Sequence, residues 1–220
     1  MLRWLQTSFN PLLDQDYAKV DLYPEHHRER IDKIAAWLAS DLNIGVYKAG
    51  FAPDQETYDK NVIPVFGALN KLEKLVAENG GPYVLGMELT ELDILLYCTA
   101  IRFDVVYHEH FKCNLGSIRH DYPVLNNWMR HLYWSVKGFR ETTDVKHIKE
   151  NVSSLWSMCA ASLLICNQYT KSHPGINPKA ITHMGPYPDV EEGYEEDFLK
   201  LQPGEIRLPA VLEHEKTLQT

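Results

Sequence analysis

The chain has 220 residues, of which 45% are hydrophobic and 24% are charged, and its formal net charge is −8. This balance is typical of a globular domain that buries its own core. Because acidic residues outnumber the scattered Lys and Arg residues, the composition argues against nucleic acid and an anionic membrane surface as partners.

Apolar residues recur at helical spacing along most of the chain. They predict helices over residues 25–42, 54–78, 94–107, 122–136 and 144–151. Gly45 and Gly50 predict a loop over residues 43–53, and Gly80 predicts the cap that ends the second helix. The sequence has no run of alternating strands and no βαβ unit. The predicted fold class is therefore all-α, a helical bundle.

The start of the third helix carries the strongest local signal. Thr90 and Asp93 have the spacing of a capping box, with Asp in place of Glu or Gln, and Leu89 and Ile94 are placed to form a hydrophobic staple. The body of this helix is apolar on nearly all sides, which predicts a position in the centre of the bundle. Near its end, Arg102 and Asp104 are expected to form a structural ion pair.

The four cysteines are Cys98, Cys113, Cys159 and Cys166, and none forms a CxxC pair. We expect reduced thiols and a cytoplasmic location, since no apolar run reaches the roughly 18 residues of a membrane span. Cys98 is expected to be packed inside the buried helix. Cys113 is the candidate reactive thiol.

His108, Glu109 and His110 lie close to Cys113 and suggest a metal site at first sight. Two histidines two residues apart on a helix point in different directions, however, and make a poor pair of ligands. We therefore expect no metal site.

Several words of the sequence resemble one protein family. A tight turn, Leu-Thr-x-x-Asp and a buried helix resemble the sixth helix of the glutathione transferase C-terminal domain. The segment Asn43–Ala52 (NIGVYKAGFA) is similar to the xi class, the glutathionyl-hydroquinone reductases. Further matching words are Tyr83–Gly86, Ile101–Tyr107, His110–Leu115, His147–Lys149, Ser172–Pro178 and Gly185–Pro186.

The resemblance implies a C-terminal domain that works opposite a thioredoxin-like domain. That second domain binds glutathione and supplies a nucleophilic cysteine, whose thiolate takes glutathione from a glutathionyl-hydroquinone. Tyr47, Tyr107 and Tyr169 match family positions that face the cysteine, so they are the candidate substrate-binding residues. The resemblance also implies glutathione as co-substrate, quinone or hydroquinone conjugates as ligands, and a homodimer.

Two departures from the family pattern concern catalysis. The chain contains no Cys-Pro dipeptide, so we expect no catalytic residue within it and read residues 1–24 as the remnant of a linker to an absent thioredoxin-like domain. Residues 152–168 interrupt the resemblance with an apolar, Ser-rich stretch of 17 residues. Our hypothesis is a retained, translated intron that displaces Tyr169; a true helix is the alternative.

The expected domain spans residues 25–190, and recurrent prolines after Tyr169 predict an irregular Pro-rich tail, flexible over residues 191–220. Two other functions stay open beside the enzyme domain. One is a non-catalytic interaction module, and the other is a truncated gene product without an independent role.

Overall fold

The computed structural model describes residues 3–4, 8–150 and 184–209. These residues form helices, turns and irregular segments, and the only β-type pairing among them is the isolated bridge between Tyr83 and Gly86. The α-helices are α1 (Gln15–Ala18), α2 (Arg28–Trp37), α3 (Gly45–Gly50), α4 (Gln55–Asn79), α5 (Glu91–Arg102), α6 (Ile118–Asp121) and α7 (Pro123–Ser135). The predicted all-α bundle is present in this part of the chain.

Two of the helices continue into wider π-type turns. Residues Leu38–Asn43 extend α2, and Phe103–Tyr107 extend α5. A 3₁₀ turn, Glu25–His27, precedes α2. The helix predicted over residues 25–42 therefore exists, but it is built from three helical types in succession.

The core lies where α4 packs against α3 on one side and α7 on the other. Phe66 of α4 meets Phe103 edge to face at a ring-centroid distance of 5.9 Å, and both side chains are fully buried. Trp128 of α7 is equally buried. Aromatic pairs of this kind contribute about 0.5–1.5 kcal/mol beyond their burial.

The loop predicted over residues 43–53 is wrong, because Gly45–Gly50 forms α3. Gly45 and Gly50 do not reverse the chain but allow other side chains to pack closely against the helix. A Cβ at Gly50 would lie 1.9 Å from Cδ1 of Phe111, and one at Gly45 would lie 3.1 Å from Cγ2 of Val65. Gly80, by contrast, ends α4 at φ +64°, as predicted for a left-handed cap.

The capping box of Thr90 and Asp93 is present at the start of α5. Oδ2 of Asp93 accepts from the backbone N–H of Thr90 at 2.9 Å. Oδ1 accepts from the N–H of Val84 at 2.8 Å and from the indole of Trp128 at 3.0 Å. Asp93 is fully buried, so one carboxylate joins the preceding turn, the helix start and α7.

The predicted ion pair of Arg102 and Asp104 is wrong. The Arg102 guanidinium donates to the carbonyl of Cys98 at 2.7 Å. Asp104 instead accepts from the N–H groups of Ile118 and Arg119 at 2.8 and 2.9 Å, at the start of α6. A helix start with unpaired N–H groups is the stronger competitor for a nearby carboxylate.

Residues 190–208, here called the C-terminal strap, lie along α4 and α7. Asn127 donates to the carbonyl of Glu195 at 2.9 Å and accepts from its N–H at 2.7 Å. Asn70 pairs with Ile206 in the same way, at 2.9 and 3.0 Å. Residues 191–209 of the expected flexible tail are therefore hydrogen-bonded to α4 and α7; residues 210–220 lie outside the described part.

The N-terminal segment expected to be a linker remnant is also attached where it is described. Leu22 accepts from the N–H of Glu91 at 2.8 Å. Arg3 donates to the Glu91 carboxylate at 2.6 Å and to Asp32 at 2.6 Å. These contacts join the segment to α2 and to the start of α5.

Candidate functional site

Tyr47 and Tyr107 meet on one face of the bundle. α3 carries Tyr47, and the π-type turn after α5 carries Tyr107. Their hydroxyl oxygens are 3.0 Å apart, and either can be the donor. The rings are edge to face at 5.6 Å. The structure thus brings together two of the three tyrosines selected from the sequence, which lie 60 residues apart. Tyr169 lies outside the described residues.

The two tyrosines differ in their surroundings. Tyr107 is 4% exposed, whereas Tyr47 is 44% exposed. Burial is the main reason why the pKa of Tyr107 lies far above that of a free phenol. The hydrogen bond to Tyr47 and the charge that Tyr47 would carry raise this pKa further. Tyr107 is therefore neutral at physiological pH, and its hydrogen bond orients the exposed phenol of Tyr47.

Two phenylalanines complete an aromatic wall around this pair. Phe111 packs edge to face on Tyr47 and Tyr107, each at 5.4 Å. Phe51 contacts Phe111 at 5.3 Å. The absence of a side chain at Gly50 allows Phe111 to approach α3 this closely. Sequence reasoning selected the tyrosines and missed both phenylalanines.

A groove of about 510 Å³ runs beside the tyrosine pair. This volume lies in the range of small-molecule sites. Its lining is mixed, with apolar, amide, hydroxyl, thiol and guanidinium groups, contributed by Asn43, Tyr47, Ile94, Leu95, Cys98, Thr99, Arg102 and Tyr107. Thr99 donates to Oδ1 of Asn43 at 2.9 Å, which fixes the floor of the groove.

Most of the groove is one face of α5. Ile94, Leu95, Cys98, Thr99 and Arg102 recur at spacings of three and four residues, which is one side of a helix. The polar Arg102 at the end of this series was the sequence signal for an open face. The prediction that α5 is buried on nearly all sides is correct only for its opposite side.

The structure reverses the roles expected of two cysteines. Cys98, predicted to be packed, is exposed and lines the groove. Cys113, predicted to be the candidate reactive thiol, is fully buried, and burial raises its pKa to about 12. A thiol with such a pKa is almost entirely protonated at neutral pH and is a poor nucleophile.

A second cavity of about 450 Å³ lies on the other side of Cys98. It shares Ile94, Cys98 and Arg102 with the groove and extends to Phe139 and His147. Its lining is predominantly apolar. The two cavities therefore flank the same turn of α5.

Among the described residues, the side chains of His26, His27 and Glu88 are the group whose ligand atoms could hold a metal ion. His108, Glu109 and His110 do not form such a group with Cys113 in this part of the chain. In the same part of the chain, no helix is both long and apolar enough to span a membrane.

Comparison with known proteins gives the family context of this site. Residues 55–131 match the family model described as the glutathione S-transferase C-terminal domain. The chain is 45% identical over 192 residues to glutathione S-transferase omega-like 2 of Schizosaccharomyces pombe, covering 87% of this chain and 56% of that protein. It is 38% identical over 190 residues to the glutathionyl-hydroquinone reductase YqjG of Escherichia coli, covering 86% and 52% of the two chains.

A solved structure agrees with these sequence matches. The xi glutathione transferase of Saccharomyces cerevisiae in complex with glutathione superposes with a TM-score of 0.73 at 38% identity, over 86% of this chain and 56% of the other. The chain thus spans about half the length of the curated relatives it matches. Residues 55–131 thus match the glutathione S-transferase C-terminal domain, and most of the chain is similar to xi-class glutathione transferases and glutathionyl-hydroquinone reductases.

Proposed function

We propose that this chain forms the substrate-binding part of a glutathione-dependent enzyme that acts on glutathionyl-hydroquinones. The observation that carries the proposal is the Tyr47–Tyr107 hydroxyl pair beside an open groove. Similarity to the Escherichia coli glutathionyl-hydroquinone reductase supports the substrate class.

A hydroquinone has polar ring oxygens and an apolar aromatic ring, and the site around the tyrosine pair can contact both. The exposed hydroxyl of Tyr47 can donate to a ring oxygen, while Tyr107 fixes its orientation from below. The rings of Tyr47 and Phe51, and the side chains of Ile94 and Leu95, offer apolar surface for the aromatic ring. A donor placed at the departing hydroquinone stabilises negative charge that develops on its oxygen.

The sulfur chemistry in this proposal needs a thiolate opposite the tyrosines. The thiolate attacks the glutathionyl sulfur, the carbon–sulfur bond breaks, and the ring carbon takes up a proton to give the free hydroquinone. A glutathione thiolate then cleaves the mixed disulfide, which yields glutathione disulfide and restores the attacking thiolate. A thioredoxin-like domain that faces the groove would supply this thiolate.

Further expectations belong to the same proposal. Glutathione is the co-substrate, and Tyr169 is a third tyrosine of the site. The chain forms a homodimer through its helical surfaces, which sedimentation velocity tests. The protein acts in the cytoplasm, which localisation of the tagged chain tests.

Binding of a synthetic glutathionyl-hydroquinone, measured by anaerobic titration calorimetry, tests the role of the groove. We expect Tyr47→Phe to weaken binding about tenfold, since one hydrogen bond to a ligand contributes about 1–1.5 kcal/mol. Tyr187→Phe is the matched control. Tyr187 is 90% exposed and does not line the groove, so its replacement should leave the Kd unchanged.

Two results would overturn the proposal. One is the absence of saturable binding by the wild-type chain, and the other is equal affinity of wild type and Tyr47→Phe. Either result would favour a non-catalytic interaction module, whose groove has no need of a correctly placed phenol.

A further inference from the structure

We propose that His26, His27 and Glu88 form a binding site for a divalent transition-metal ion of the Zn²⁺ type. Nε2 of His26 lies 2.8 Å from Oε2 of Glu88, and Nε2 of His27 lies 3.8 Å from the same oxygen. The ligand atoms of all three residues lie within 4.8 Å of one another.

These distances are close to those that a metal ion requires. Zn²⁺ binds imidazole nitrogen and carboxylate oxygen at about 2.0–2.2 Å, so ligand atoms in a tetrahedral site are about 3.4 Å apart. The observed separations of 2.8 and 3.8 Å lie on either side of that value. Small side-chain rotations, without backbone movement, would therefore form the site.

The local backbone makes this convergence unusual. Adjacent side chains in a helical turn normally diverge. In the 3₁₀ turn Glu25–His27, however, the centroids of the two imidazole rings are 4.3 Å apart, and the Nε2 atoms of both rings lie near Oε2 of Glu88. The sequence places Glu88 62 residues away from His26, so the third ligand comes from a separate segment.

Both segments are anchored independently of the three side chains. The capping box of Thr90 and Asp93 fixes the chain directly after Glu88. The N–H of Glu91 donates to the carbonyl of Leu22 at 2.8 Å, which fixes the chain before the histidine turn. The ligands are thus presented by two held backbones, which lowers the entropy cost of binding a metal.

The ligand set also indicates the class of ion. Two imidazoles and one carboxylate favour Zn²⁺ and neighbouring transition metals over Mg²⁺ and Ca²⁺, which prefer oxygen ligands. His26 and Glu88 are 60% and 54% exposed and His27 is 21% exposed. Solvent can reach a fourth coordination position, so we expect an exchangeable site that holds water or a small ligand.

The metal site is separate from the proposed function. None of its three residues lines the groove or the second cavity. A bound ion would connect the turn before α2 to the loop before α5, and it would raise the thermal stability of the chain without any change in the groove.

The test is titration of the metal-free full-length chain with ZnCl₂, followed by calorimetry and by thermal unfolding with and without Zn²⁺. We expect a saturable site whose Kd rises at least about tenfold in His26→Ala and in His27→Ala. The same variants should lose the Zn²⁺-dependent rise in Tm. MgCl₂ should not reproduce the effect.

The control is His120→Ala, which removes an exposed histidine on α6 and should leave Zn²⁺ binding unchanged. Circular dichroism establishes that each variant is folded. Equal Zn²⁺ affinity in the wild type and in both histidine variants would overturn the proposal, as would the absence of saturable binding. In that case Glu88 forms only surface contacts with His26 and His27.

Discussion

Tyr47 and Tyr107 have the same side chain but differ in burial, and this difference gives their hydroxyl groups different properties. Burial makes Tyr107 a fixed, neutral hydroxyl, and its bond to Tyr47 determines where the exposed phenol points. Both tyrosines line the groove, and Tyr47 is by far the more exposed of the two. In the proposed function the pair would act as one donor with a rigid support.

Cys98 and Cys113 lead to a prediction about thiol reactivity. Treatment of the native chain with iodoacetamide should alkylate Cys98 much faster than Cys113, because Cys98 is exposed and Cys113 is buried with its pKa raised to about 12. Peptide mass spectrometry over time measures both rates. In denaturant the two rates should become similar, and equal rates in the native chain would contradict the burial described above.

At the scale of whole helices, three carboxylates hold helix starts, of which Asp93 and Glu73 are buried and Asp104 is half-buried. Asp93 closes the capping box of α5, Asp104 accepts at the start of α6, and Glu73 of α4 accepts at the start of α7. Glu73 receives the N–H groups of Val124 and Leu125 at 2.9 and 2.8 Å. Such a carboxylate pairs backbone donors that the helix itself leaves unpaired.

Burial nevertheless raises the pKa of all three carboxyl groups, although backbone N–H groups pull it down. The price of removing a carboxylate from water therefore exceeds the gain from its hydrogen bonds to neutral donors. Each group binds its proton more tightly in the folded than in the unfolded chain. Its stabilising contribution is complete below the unfolded pKa and is lost as the pH rises through the folded pKa.

Glu73→Gln tests this description. An amide group would turn an NH₂ toward backbone N–H donors, so we expect a loss of about 2–3 kcal/mol in the free energy of unfolding at neutral pH. The loss should be smaller than the removal of a buried ion pair partner would give, because Glu73 has no cationic partner among its hydrogen bonds. Urea denaturation measures it.

The control lies on the same helix. Glu78→Gln changes an exposed side chain and should shift stability by less than about 0.5 kcal/mol. The wild type should also lose stability relative to Glu73→Gln as the pH rises from the ordinary glutamate pKa through the raised pKa of folded Glu73. Parallel stability–pH curves would contradict the raised pKa.

At the scale of the whole molecule, the C-terminal strap closes one side of the bundle. Glu73 accepts from the N–H of Gly204 at 3.0 Å as well as from α7. Phe198 of the strap is 2% exposed, and its neighbour Tyr194 packs edge to face on His131 at 4.9 Å. The strap is thus attached through side-chain hydrogen bonds to its backbone and through aromatic packing, although it contains almost no regular structure.

Asn127→Ala is expected to loosen the strap more than the bundle. The change leaves the N–H and the carbonyl of Glu195 without their partner, which costs about 1–3 kcal/mol. Hydrogen exchange in peptides that cover residues 190–208 should speed up, while exchange in α4 should change little. Asn126→Ala is the control, because the Asn126 amide lies 3.5 Å from its acceptor and does not contact the strap. Equal exchange in the two variants would show that Asn127 does not hold the strap.

Local sequence signals predicted the helical core well. The Gly80 cap of α4 and the capping box of Thr90 and Asp93 are found where residue spacing indicated. Each of these signals depends on residues within four positions of one another, so it can be read without knowledge of the fold. The resemblance to glutathione transferases rests on similar short words.

The sequence by itself determined the all-α class, the capping box and the Gly80 cap, and the resemblance to glutathione transferases, and it singled out Tyr47 and Tyr107 as candidates. Only the tertiary structure decided that Cys98 is exposed and Cys113 is buried, and that residues Gly45–Gly50 form a helix whose glycines allow close packing. It also decided that His26 and His27 both lie next to the carboxylate of Glu88. It also decided that residues 191–209 are bound to α4 and α7. The reason is that exposure and ligand convergence depend on contacts between distant segments, whereas caps and helical periodicity are fixed within one or two turns.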